Sequence, residues 1–178
     1  MNWLFFITSQ QKILAFLGEN SGEEFQEKEI SKETGVKKSA VNLALRPLVK
    51  LSLINRRKIG RSSLYSADAN NNLIREIKII LSILALNPLM EKLKSESMRV
   101  ILFGSLATGK NKRNSDIDLF VLTNNPGSVR KIINESAFAE RIQLITKTPA
   151  EMLKINKNKP LLFQEIEKGR VLWETNEN

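Results

Sequence analysis

With 178 residues, 42% of them hydrophobic, the chain can form one ordinary domain or two small ones with real cores, and global disorder is not expected. It has no cysteine and no histidine, which excludes disulfides, thiolate and imidazole metal sites, Ser-His and Cys-His nucleophile pairs and histidine general bases. Catalysis is left to carboxylates, lysine, hydroxyls or a hard, oxygen-liganded cation such as Mg²⁺, and the net charge of +9 points to a polyanionic partner, a nucleic acid or a nucleotide.

The first residues, MNWLFFITSQQK, hold an apolar patch too short for a signal h-region and no cationic n-region. A later apolar stretch, IKIILSILALNPLM, contains Lys78 and Pro88 and falls short of the ~18 uncharged residues of a membrane span. The expectation is a soluble, cytoplasmic protein without membrane association.

Thr8, with Gln11 three residues on, fits a capping box. Leu14, Phe16 and Leu17 then share a helical face, with Gly18 and Asn20 as stops. A short helix over about 27–34 ends at Gly35, and a turn at 36–38 leads to a second helix capped by Ser39. Val41, Leu45, Leu48 and Val49 recur there at helical spacing. Pro47 removes one backbone bond deep in this helix and is expected to kink it, leaving Ser39 to Leu45 placed to enter a groove. LINRRKIG and SSLYSAD alternate like two short strands about Gly60-Arg61.

From Lys37 to Arg61 there are eight basic residues and no acid. Helix, helix-turn-helix and hairpin in this order resemble the winged-helix transcription regulators, over roughly residues 8–68, with EISKETGVKKSAVNLALRPLVKLSLI as the matching core. The resemblance implies contact with double-stranded DNA through Lys37, Lys38, Ser39, Asn42, Arg46, Lys50, Arg56, Arg57, Lys58 and Arg61. A solvated basic face on a protein-interaction module is the competing reading. Residues 70–95 follow as an apolar helix, with Leu73, Ile74, Ile77, Ile80, Leu81 and Leu84 in a wide stripe broken at Pro88. Such a stripe must be covered, either within the chain or by the same helix of a second copy, which would make a homodimer through residues 70–86.

After Met98 the pattern changes. RVILFG reads as a strand, SLATGKN as a short helix and DIDLFVLT as the next strand. Period two places Asp116, Asp118, Phe120 and Leu122 on one face and Ile117, Leu119 and Val121 on the other. The two carboxylates thus point the same way, about 7 Å apart at Cβ, and repel unless a cation sits between them. A strand ending in Gly-Ser exposes backbone N–H groups that can cradle a phosphate.

FGSLATGKNKRNSDIDLFV resembles the nucleotidyltransferases related to DNA polymerase β, most of all their small, minimal members: strand, Gly-Ser, short helix, ten residues, then Asp-x-Asp on the next strand. The resemblance runs from residue 98 to about 175, and FQEIEKGRVLWE is similar to the closing helix and strand of these domains. It implies that Gly104 and Ser105 hold a triphosphate, that Asp116 and Asp118 bind Mg²⁺ (or Mn²⁺) and act in catalysis, and that Lys110, Lys112 and Arg113 neutralise phosphate charge. ATP or another nucleoside triphosphate is the implied ligand, and a partner protein encoded nearby, as in toxin–antitoxin pairs, is implied too. One position departs from the family pattern. A third carboxylate is expected on a later strand, here RIQLITKT, where Gln143 stands; Glu140 has the wrong offset for that face.

The fold class expected is therefore a two-domain α/β (α+β) protein: a winged helix-turn-helix over 1–68, connecting helices over 69–97, and a small mixed-sheet nucleotidyltransferase fold over 98–178. Two functions stand: a DNA-binding transcriptional regulator whose second domain binds Mg-NTP, and an active Mg-dependent nucleotidyltransferase, transferring AMP to a protein or small molecule, that the winged helix localises or autoregulates.

Overall fold

The computed structural model describes residues 8–155 and 161–175. The apolar patch read at residues 1–7 lies outside them. The chain divides into two compact units, Met1–Leu81 and Ser82–Asn178.

The first unit runs α1 (Ser9–Glu19), β1 (Phe25–Gln26), α2 (Glu27–Thr34), α3 (Lys38–Lys50), β2 (Asn55–Ile59) and β3 (Ser62–Ser66). Thr8 and Gln11 close the capping box of α1. The helix buries Ile13, Ala15 and Leu17, whereas Leu14 and Phe16 are only partly buried; Gly18 lies inside the helix and Asn20 caps it. α2 ends at Gly35 in the left-handed conformation, φ 69°. α3 starts two residues earlier than its sequence signal, with Lys37 in the capping position and no side-chain cap bond, so Ser39 is inside the helix. It also runs through Pro47 to Lys50. The missing N–H costs one ladder bond, while buried Ala44, Leu45 and Leu48 hold both sides of the proline against the core. β2 and β3 form the expected hairpin, with Ile59 opposite Ser62 across Gly60-Arg61, and the three strands lie in the order β1-β3-β2.

α4 (Asn72–Leu93) begins in the first unit and ends in the second, and it contains Pro88 rather than stopping there. Ile74 belongs to the first core; Leu86, Leu89, Met90 and Leu93 belong to the second. The division between units falls within this helix. Of the apolar stripe, Ile74 and Leu81 are buried, while Leu73 and Ile80 are exposed. Lys78 is buried among them and donates to Ser21 Oγ at 3.0 Å; burial, then the nearby Arg75, push its ammonium below the usual lysine range. Among the described residues no helix is long and apolar enough to cross a membrane.

The second unit holds β4 (Arg99–Phe103), α5 (Gly104–Ala107), β5 (Ile117–Leu122), α6 (Pro126–Asn134), β6 (Ile142–Lys147), α7 (Pro149–Ile155), α8 (Leu161–Glu167) and β7 (Arg170–Glu174). Its sheet has the order β6-β5-β4-β7, with β5 and β6 parallel and the other pairs antiparallel. Period two governs β5 as its sequence indicates. Ile117, Leu119 and Val121 enter one core with Leu86, Leu89, Leu93, Val129 and Ile133. Phe120 enters the other, with Ile101, Phe103, Phe163 and Ile166. Both faces of the central strands are thus covered, which fixes their register strongly.

Candidate functional site

β4, an inner strand, delivers the chain to Gly104 at its C-terminal end. Phe103 pairs with Asp118 across the antiparallel register, so the turn after β4 comes up beside the start of β5. Gly104 has φ 69°, a conformation that costs an L side chain roughly 1–2 kcal/mol. A Cβ there would stand 2.1 Å from Asp118 Oδ2 and 2.9 Å from its Cγ. The Asp118 carboxylate therefore lies against the bare Cα of Gly104, in space that any other residue type would fill. Ser105 follows, half-buried at the start of α5.

Asp118 is half-buried and Asp116 exposed. Burial first, and the charge of Asp116 second, hold the Asp118 carboxyl above the usual aspartate range. The two acids are thus an electrostatically strained pair that a cation would relieve. No group of three or more His, Cys, Asp or Glu that could hold a metal occurs among the described residues. A pair of carboxylates nevertheless fits Mg²⁺, which takes one or two such ligands and completes its shell with water and phosphate oxygens. Mn²⁺ shares that oxygen chemistry.

The neighbouring strand brings no third acid. β5 and β6 pair in parallel from Ile117–Ile142 to Leu122–Lys147, and Asp118 stands opposite Gln143. Glu140 lies in the turn before β6, outside the paired strand. An amide beside Asp118 can accept or donate a hydrogen bond; it cannot carry the negative charge of a metal ligand or act as a base.

Lys110, Lys112 and Arg113 are exposed on the segment between α5 and β5. That segment is tied down by its backbone: Lys110 N–H donates to the Ser105 carbonyl at 3.0 Å, and Lys112 N–H to Ser115 Oγ at 2.8 Å. Two further cations at this end of the sheet escape sequence reading. Arg141 donates to the Ser115 carbonyl at 2.8 Å, next to Asp116, and Arg170 Nε donates to the Ala107 carbonyl at 2.9 Å, at the end of α5. Arg141 precedes Gln143 by two residues, a period-two signal; Arg170 is 63 residues from its partner and has no local signal.

In the first unit, Lys37, Lys38, Ser39, Arg46, Lys50, Arg56, Arg57, Lys58 and Arg61 are all exposed, on α3 and on the β2–β3 hairpin. They are not equivalent. Arg57 is paired with Glu24, Arg56 donates to Ser63 Oγ, and Arg46 donates to Asn42 Oδ1. Asn42 is half-buried, with its amide nitrogen donated to Glu27.

Residues 86–178, more than half of the chain, match the profile of a family described as "Polymerase beta, Nucleotidyltransferase". Among solved structures, a proposed nucleotidyltransferase from Sulfolobus solfataricus aligns at 14% identity over 58% of this chain and 90% of that one, with a TM-score of 0.37. The search among curated proteins returns no match.

Proposed function

This chain belongs to the polymerase beta nucleotidyltransferase family, and on that premise we propose that it is a DNA-binding transcriptional regulator whose second unit is a winged-helix-coupled receptor for a Mg²⁺-bound nucleoside triphosphate. The observation that carries the choice of receptor over enzyme is the pairing of Asp118 with Gln143, which leaves two carboxylates where the family resemblance leads us to expect a third. Asp116 and Asp118 hold the Mg²⁺ (or Mn²⁺), which when bound supplies charge neutralisation and polarisation of the phosphates. Gly104 gives the Asp118 carboxylate its place. The backbone at Gly104-Ser105 takes the triphosphate, with Lys110, Lys112 and Arg113 facing its remaining charge.

The order helix, strand, helix, helix, hairpin in the first unit supports a winged helix-turn-helix, and the exposed cations on α3 and the hairpin support a duplex partner. In this reading α3 enters the major groove and the hairpin lies along the backbone. The protein acts in the cytoplasm, with its operator near the gene of a partner protein.

A second reading keeps the transferase active. The close fit of Asp118 over Gly104 is a built feature of the acid pair, and it favours retention of transfer: an acceptor hydroxyl forms a bond to the α-phosphorus and pyrophosphate leaves. The test is a calorimetric titration of MgATP into the full chain and into Asp116→Asn/Asp118→Asn. Heat in the first and none in the second is expected. Equal affinities would remove the metal-nucleotide reading and leave the acids as structural. Incubation with labelled ATP separates the two readings, since the receptor leaves no label on any acceptor.

A further inference from the structure

Resting on the reading of the first unit as a duplex DNA binder, we propose that α3 carries a preset base reader. Arg46, held by a hydrogen-bond relay through Asn42 and Glu27, donates to a guanine, and Leu43 beside it packs on the methyl of a neighbouring thymine.

The exposed face of α3 presents Ser39, Asn42, Leu43, Arg46 and Lys50, at the helical spacings that bring side chains together. The opposite face is buried through Val41, Ala44, Leu45 and Leu48. Within the presented face, Asn42 has both ends of its amide engaged. Its Nδ2 donates to Glu27 Oε1 at 2.9 Å, and its Oδ1 accepts from Arg46 Nη2 at 2.9 Å. Glu27 is itself fixed by Tyr65, whose hydroxyl donates to the same Oε1 at 3.2 Å. Tyr65 is buried on β3, so the relay is anchored in the core of the unit.

Two consequences follow. Asn42 is withdrawn from the two-bond reading of adenine that a free asparagine provides. Its role is to position Arg46. The guanidinium has five N–H donors and gives one to Asn42, so a fork remains for the O6 and N7 acceptors of guanine. Restraint by the relay removes part of the rotamer entropy that a free arginine loses on binding.

Leu43 is 64% exposed three residues before Arg46, a large aliphatic group in the middle of a cationic face. An exposed leucine by itself is ordinary. In a groove-facing position it meets the apolar group that the major groove offers, the thymine C5-methyl.

The experiment uses the full chain. A preferred duplex is selected from a randomised pool, and affinities are measured by anisotropy across salt on duplexes with single base-pair changes. Arg46→Ala is expected to lose about ten- to a hundredfold of discrimination at one G·C pair with the salt slope unchanged. Lys58→Ala is expected to do the reverse, lowering the slope by about 0.9 while keeping the preference. Glu27→Ala should weaken discrimination at that same pair, and Glu27→Gln, which still accepts from Asn42 and Tyr65, should restore it. A purely structural role of Glu27 would instead lower affinity for all duplexes alike. Replacing the adjacent thymine by deoxyuridine should cost the wild type severalfold and Leu43→Ala nothing. If Arg46→Ala weakens every duplex equally and lowers the slope by about 0.9, Arg46 is a phosphate contact and the proposal is overturned while DNA binding stands. If the wild type binds no duplex in a salt-dependent way, the DNA reading falls and takes the proposal with it.

Discussion

Gly104→Ala tests whether the acid pair is built into the fold. Two contributions add. The left-handed φ of 69° costs an alanine roughly 1–2 kcal/mol. The new methyl at 2.1 Å from Asp118 Oδ2 forces the carboxylate aside, and overpacking of this kind costs about 1–3 kcal/mol. The sum, roughly 2–5 kcal/mol, corresponds to a fall in Tm of about 10 °C or more for a domain of this size. Calorimetric melts of the full chain read it, and MgATP titration should show weakened binding because Asp118 has left its place. The origin of the loss is isolated by a double-mutant cycle. In an Asp118→Ala background the contacts to Oδ2 and Cγ are gone. A 3.3 Å contact to the residual Cβ and the φ penalty remain, and the cost of Gly104→Ala should drop to about 1–2 kcal/mol. Equal costs in the two backgrounds would refute the claim that Gly104 exists to accommodate the carboxylate.

Three other outcomes are expected. The raised pKa of Asp118 means that its contribution to stability is complete below the unfolded aspartate value and is lost as pH rises through the folded one. Without divalent metal, Asp118→Asn should therefore melt higher than wild type at neutral pH, with the gain shrinking towards acid pH. Gln143→Asp should create or raise transfer from labelled ATP in Mg²⁺ and lower Tm in its absence; robust wild-type turnover indifferent to position 143 would show that another residue is the base. Because Glu24 already pairs with Arg57, Arg57→Ala should change the salt slope of DNA binding less than Lys58→Ala, and equal changes would show that the pair opens on DNA.

The parts of this fold that were legible in sequence are those with local causes. The Thr8–Gln11 box, the stop at Gly35, the turn at Gly60-Arg61 and the period-two faces of β5 each depend on residues a few positions apart. Pro88 misled, because a proline's effect depends on what holds the flanking turns: Leu89, Met90 and Leu93 hold α4 past it. Ser39 carried a capping signal, yet the helix began at Lys38 without a side-chain cap. α6 also has a local cause: the Asn125 side chain accepts from Ser128 N–H, and Pro126 opens the helix. At the sites, the Gly-Ser and Asp-x-Asp pattern was readable, but the contact between Gly104 and Asp118 was not. Nor were the bonds of Asn42 to Glu27 and of Arg57 to Glu24, which join residues 15 and 33 apart. Such pairings are decided by packing.

The register of β6 turns the question of catalysis into one about a single side chain. Six consecutive pairs, Ile117–Ile142 to Leu122–Lys147, place Gln143 beside Asp118, and a slip by one residue would turn the whole strand over. Position 143 is thus where a carboxylate would join the pair. In the free protein that carboxylate would carry a cost. Asp118 is already pushed up by burial and by Asp116, and a third negative charge would push it further unless a metal were always present. Glutamine removes that repulsion, keeps a hydrogen-bonding group at the same place and leaves two ligands, enough for Mg²⁺ carried in on a triphosphate. A site that must stand empty and then fill gains from that exchange, and a site that must deprotonate a hydroxyl loses its base. If the site takes a nucleotide as proposed, the amide therefore favours one that is bound and released over one that is consumed.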